Sequence, residues 1–443
     1  MAPPGRRYSI AQLALLVPWV ALVIGAWGEI TDNSFLWHVR AGSVQLELGQ
    51  VLTVDPFSFT RGGEAWITQS WLVELLYAGA ERVTGLDFVP FSILIVGALT
   101  FFGIGLIAYR YAGNATGAAF CLILGVLTLI SFFVPRPVIY SYLLMILVML
   151  AWDRPATRWT LPFLFWIWAG VHASFFVGLG YVGLMLLMRR EWRALPTVAL
   201  SGAMTLLTAH GLGAMSFLLD FTESREALQY LTEWRRPGID DVLFIPYLGS
   251  LVFAVVGFVR RKVPLRYLWV FIPFAGLGFT SIRAVPQAWL GLLPMVALSL
   301  SGLTIGTRAG LRRPLAIVFC LFLLIMPFLV AKEAILSQEL FPVAAAEMLA
   351  DGRTFHDDRV GGYLIWAEGP DRKVYIDDRA ELYGNRLGEF YQVRTGQIDW
   401  QPIFERDQIE QALLANEESL ISELRDSGWQ TVYSDASFTV LHP

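Results

Sequence analysis

The feature that most constrains this chain is where its charges fall. Up to about residue 335 the sequence is a series of apolar runs, with Lys, Arg, Asp and Glu gathered almost entirely between them. A helix needs about 17–25 apolar residues to cross a hydrocarbon core. Eleven spans are predicted, at about 10–28, 87–109, 115–134, 137–152, 158–171, 174–188, 195–209, 243–259, 266–282, 285–303 and 314–332. Several are short and carry Gly or Pro, so tilted or broken helices are expected. Only 16% of the 443 residues are charged, against about 25% in soluble proteins. The deficit ends near Lys332. The expected architecture is therefore a polytopic α-helical membrane domain, 1–335, followed by a small extracytoplasmic α/β domain, 336–443. A net charge of -4 argues against nucleic acid as a partner.

Basic residues in short loops set orientation. With a cytoplasmic N-terminus, the inner segments hold Arg6 and Arg7, Arg110, Arg154 and Arg158, Arg189, Arg190 and Arg193, Arg260, Arg261, Lys262 and Arg266, then Arg308, Arg312 and Arg313. The short outer turns hold little more than Arg136 and Arg283. Two short spans within 158–188 keep this asymmetry; one long helix would invert it. The first run lacks a small-x-small cleavage site and is read as an uncleaved anchor. All five histidines, His38, His172, His210, His356 and His442, then fall outside. Cys121 and Cys320 sit in apolar runs without metal spacing, as small apolar side chains.

About 57 residues separate the first two spans. Phe35, Val39 and Leu46 fall on one helical stripe, with His38 and Arg40 off it. Asp32 or Asn33 can cap that helix. Pro56 holds Asp55 out of helix, and Arg61-Gly62-Gly63-Glu64 is a turn. A second helix is expected on an Ile67, Trp71 and Leu75 stripe, with Gln69, Ser70 and Glu74 offering polar groups. Two such helices in loop 29–86 can form an interfacial platform or simply seal the bundle. A third amphipathic segment, 210–242, reads as a surface helix or a lid.

In the tail, Lys373 to Asp377 is a predicted strand, and Asn416 a predicted cap for a helix ending before Gly428. Thr431 to Tyr433 and Phe438 to Leu441 are a predicted hairpin across Asp435-Ala436. Asp377, Asp378, Arg379 and Glu381 form either a strand-end site or a salt-linked turn. Gly361-Gly362 lacks the further glycines of a dinucleotide loop. No zinc spacing or nucleophile elbow is present, and no cofactor or metal is expected.

The first outer loop, with its two helices and an acid directly after the first span, resembles the GT-C superfamily of integral-membrane glycosyltransferases. Asp32 to Gly42, Asp55-Pro56-Phe57-Ser58-Phe59-Thr60, Trp66 and Gln69-Ser70-Trp71-Leu72 are similar to a bacterial group with an Asp-x-Asp-Leu-Trp-Trp-His motif. Arg136-Pro137, His172 after Trp168, Glu233-Trp234, Gly361 to Trp366 and Asp377 to Gly384 extend the resemblance along the chain. Ser34 stands where that motif has its second Asp, which favours a base over a metal ligand. The resemblance implies a bacterial inner-membrane enzyme moving a sugar from a polyprenyl-phosphate carrier to an extracytoplasmic glycan, lipid or protein acceptor. It places the base on Asp32, with Asp55 as the second candidate. His38, Arg40, Gln69, Glu74, Arg136, His172, His210 and Arg283 are the candidate substrate-binding residues, the arginines suited to phosphate. The other readings are a non-catalytic scaffold or lipid-binding protein on the same fold, and a transporter. The absence of visible repeats and of mid-span charges counts against the last.

Overall fold

A computed structural model describes residues 16–26, 28–213, 232–303, 312–329 and 334–443. Residues 214–231 of the expected lid, 210–242, lie outside the described residues. The chain is mostly helical, with a small mixed four-stranded sheet. It divides into two compact units. The first comprises 1–28, 87–208 and 233–333; the second comprises 29–86, 209–232 and 334–443. The first outer loop, expected within a 1–335 domain, thus belongs to the same unit as the tail.

Three helical runs are long and apolar enough to cross a membrane: Trp71–Ala112, Ala115–Phe132 and Ile282–Ser299. In the first, the apolar part is Phe88–Ala112; a short turn, Gly85–Asp87, separates it from Trp71–Thr84. The expectation of eleven spans is corrected. Val138–Trp152, Phe175–Arg189 and Ile245–Val259 are apolar but have 15 residues each. At 1.5 Å per residue they reach about 22 Å, short of a core about 30 Å thick. Leu161–Val171 and Leu195–Met204 are shorter still. Local chemistry sets these ends. Pro162 and Pro196 start their helices late, and His172 turns extended at the end of its own (φ -170°, ψ 144°). That break divides 158–188 into two helices, as expected.

Small residues let the helices of this unit approach closely. A Cβ on Gly291 would stand 2.0 Å from the Phe274 ring, and one on Gly178 2.4 Å from Trp168. Trp152, Trp168 and Trp289 fill the core, and Cys121 is buried among apolar groups. Loops expected on one side share bonds. Asp153 receives Arg110 at 3.2 Å, Arg189 at 2.8 Å and the Tyr111 hydroxyl at 2.8 Å. Lys262 donates to the carbonyls of Ser299 and Ser301.

In the second unit the sheet order is β1 (Thr354–His356), β2 (Gln411–Ala415), β4 (Phe438–His442), β3 (Gln430–Ser434). β1 and β2 are parallel, the other pairs antiparallel. The β3–β4 hairpin is the predicted one. The 373–377 strand is not in the sheet. Val374 instead bonds the first loop: its N–H donates to Phe57 O at 2.9 Å and its carbonyl accepts from Phe59 N at 3.0 Å. Asn416 caps no helix; it ties Asp435 O and the Thr439 hydroxyl, while the helix Leu420–Asp426 begins after Ser419.

Both loop helices form, at Ser34–Leu48 and Trp71–Thr84. Their buried faces differ from the expected stripes. Phe35 and Val39 are buried, but Leu46 is exposed and His38 is inside. The second helix buries Val73, Glu74, Tyr77 and Ala78 and exposes Leu76 and Val83. Two glycines explain the packing. A Cβ on Gly42 would lie 1.9 Å from Glu74 O, so the helices touch backbone to backbone there. A Cβ on Gly361 would lie 1.8 Å from Ile376 O. Gly361-Gly362 therefore sits inside the helix Asp358–Glu368 as a packing pair and makes no phosphate loop.

Candidate functional site

The polar residues of the second unit converge around Arg379. Pro56 keeps the chain extended, so the Asp55 carboxylate accepts from the backbone N–H of Phe57 and Ser58, both at 3.0 Å, and from the Ser58 hydroxyl at 2.5 Å. Its Oδ1 also accepts from Arg379 Nη1 at 2.8 Å. Asp377 grips the same guanidinium from the other side, at 2.7 and 2.6 Å, and accepts the Tyr383 hydroxyl at 2.7 Å. The three charged side chains are 0% exposed. Trp66, Phe57 and Trp37 surround the guanidinium at 4.4, 5.5 and 5.8 Å. Burial raises the Asp55 pKa, but Arg379 and the N–H and hydroxyl donors outweigh it and hold it low. Burial pulls the Arg379 pKa down, but Asp377 and Asp55 outweigh it and hold it well above the ordinary value. Asp55 is thus a buried, bonded member of this charged cluster.

Asp32 and Asp378 are placed differently. Both are half-exposed. Asp32 Oδ1 accepts the Ser34 N–H at 3.1 Å, at the start of the first loop helix. The Ser34 hydroxyl donates to Asp378 Oδ2, and Trp37 Nε1 donates to Asp378 Oδ1 at 2.5 Å. Ser34, standing where the resembling motif has an acid, thereby touches an acid supplied by the tail.

Behind this pair, Glu74 is buried. Its Oε1 meets His38 Nδ1 at 3.0 Å, and its Oε2 accepts from Gln45 Nε2 at 2.6 Å. Burial pushes its pKa up to about 8, against the opposing pull of Gln45, Arg379 and His210. Arg40 donates to Gly369 O. His210 Nε2 bonds the Thr68 hydroxyl at 2.9 Å, and burial lowers its pKa. Gln69 is half-exposed on the turn before the second loop helix. His356 Nδ1 donates to Asp357 O at 2.8 Å and its Nε2 accepts the Tyr375 N–H at 3.0 Å, so the ring is neutral.

The remaining candidates belong to the first unit. His172 Nδ1 bonds Ser174 at the helix break. Arg136 Nη1 reaches both oxygens of Glu233, at 3.0 and 2.9 Å, and Arg283 Nη1 reaches Oε1 at 3.4 Å. Among the described residues no group of three or more His, Cys, Asp or Glu side chains is placed to hold a metal ion.

Sequence reasoning offered Asp377, Asp378 and Arg379 as a strand-end site or a salt-linked turn, and Arg379 does pair with Asp377, but it gave no role to Trp37 and did not join the cluster to Asp55. The signal was present in Asp377-Asp378-Arg379, the densest polar cluster of the tail, but nothing local ties it to Asp55 more than 300 residues earlier. No family model matches the chain. No curated protein matches it either.

Proposed function

We propose that the chain is a GT-C-like membrane glycosyltransferase that moves a sugar from a polyprenyl-phosphate carrier to an extracytoplasmic acceptor. Asp32 is the base. The acceptor hydroxyl gives its proton to the Asp32 carboxylate as its oxygen bonds to the anomeric carbon. The anomeric C–O bond breaks, and its electron pair leaves with the carrier phosphate.

The observation that carries this reading is the contrast among the loop acids. Asp55 and Glu74 are buried in bonded networks, whereas Asp32 keeps an edge to solvent beside a second half-exposed carboxylate, Asp378. An accessible carboxylate is what a base needs; a buried, cation-paired one is not. The same buried, bonded networks favour the second reading, a non-catalytic scaffold or lipid-binding protein, because they describe a rigid platform.

Asp32→Asn separates the two readings. In a deletion strain complemented with this variant, mass spectrometry of glycans and lipid-linked saccharides should show the deletion profile at normal protein levels. A wild-type profile at those levels would sink the base assignment and leave the scaffold.

A further inference from the structure

The Arg136–Glu233–Arg283 cluster is built from three separate turns. Arg136 lies between Pro135 and Pro137, Glu233 in Thr232–Trp234, and Arg283 in Ile282–Ala284. The Ile282 N–H donates to Arg235 O at 3.1 Å and fastens the second turn to the third. Arg283 lies 5.1 Å over the Trp234 ring. The side chains of Arg136 and Arg283 are 22% and 28% exposed, and that of Glu233 is 40% exposed. Two cations thus converge on one anion, and the anion is the most exposed of the three.

That geometry suits an oxyanion larger than a carboxylate. A guanidinium fork matches phosphate oxygens as it does carboxylate oxygens. Each arginine gives Glu233 its Nη1, and a phosphate brings more acceptors and more charge to the same two guanidinium groups. It cannot share them with Glu233, because burial, which pushes the glutamate's pKa up, is outweighed by the two arginines and the side chain stays anionic.

We propose that Glu233 is an internal surrogate for a phosphate group. It occupies the two-arginine site in the resting protein and swings out when a phosphate, lipid-borne or free, takes its place. The inference deepens the glycosyltransferase reading, which gives both arginines to the carrier phosphate, and adds a gate to that site. It does not depend on the transfer step.

The test is direct binding to the full-length protein in detergent, with farnesyl phosphate and inorganic phosphate as probes. Glu233→Gln keeps the size of the side chain and its hydrogen bonding but removes the competing charge. It should bind farnesyl phosphate about three- to tenfold tighter than wild type, the range expected on losing partly exposed ion pairs. Arg283→Ala should weaken binding. Tightening with farnesyl phosphate alone identifies a lipid-borne group; tightening with both probes identifies the bare phosphate. If Glu233→Gln binds neither probe more tightly than wild type at an unchanged melting temperature, the surrogate role is wrong. A wild-type glycan profile for Asp32→Asn, with tightening intact in Glu233→Gln, would overturn the enzyme and leave the gate.

Discussion

Removing the Arg379 charge should unfold the second unit, and the size of the effect follows from the charged cluster. Arg379→Met leaves Asp55 and Asp377 facing each other with no cation, both at 0% exposure. Breaking a buried pair by deleting one partner costs about 3–5 kcal/mol. The three rings around the guanidinium add about 0.5–2 kcal/mol each that a thioether does not fully recover. Whole domains are stable by only about 5–15 kcal/mol, so the single variant should melt far below wild type or fail to accumulate. A triple variant, with Asp55→Asn and Asp377→Asn added, removes the stranded charges. The asparagine at 55 keeps an acceptor for the Phe57 N–H. Replacing all members of a buried ion cluster is often neutral, so the triple variant should regain most of the loss. Thermal unfolding of the full-length protein in detergent, followed by tryptophan fluorescence, measures both. The reasoning is refuted if Arg379→Met melts within a degree or two of wild type, or if the triple variant is no more stable than the single one.

Three further outcomes follow from the same unit. The raised Glu74 pKa means that the folded state holds a proton the unfolded chain releases, so stability should fall as pH rises from about 4.5 to about 8. Glu74→Gln, which mimics the protonated acid between Gln45 and His38, should flatten that slope in pH-dependent melts. His356 has the opposite sign: its pKa is lowered by burial, so its contribution is present above about pH 6.5 and is lost on acidification. His356→Asn should reduce the acid-side slope. Gly361→Ala puts a methyl carbon 1.8 Å from Ile376 O, and should cost at least the ~1–3 kcal/mol of ordinary overpacking. Gly369→Ala, with its nearest heavy atom at 2.7 Å, should cost less, and the order of the two melting temperatures checks the packing account.

The sequence alone determined what local chemistry controls. Charge spacing placed the apolar helices, Asp32 and Asn33 marked the start of a loop helix, Pro56 held Asp55 extended, and alternation with a turn marked the last hairpin. Span number was misjudged because short apolar runs such as 137–152 and 174–188 were counted as spans, although helices of 15 residues fall short of a hydrocarbon core about 30 Å thick. The inward faces of the loop helices were misjudged for a different reason. Apolar periodicity predicts Glu74 and His38 outside, yet each is buried because its partner is there to bond it. Only the tertiary structure brought Arg379 to Asp55, Asp378 to Ser34 and Glu233 to the two arginines. Burying a charge is favourable only with its counter-charge in place, and that partner lies too far along the chain for any local pattern to reveal.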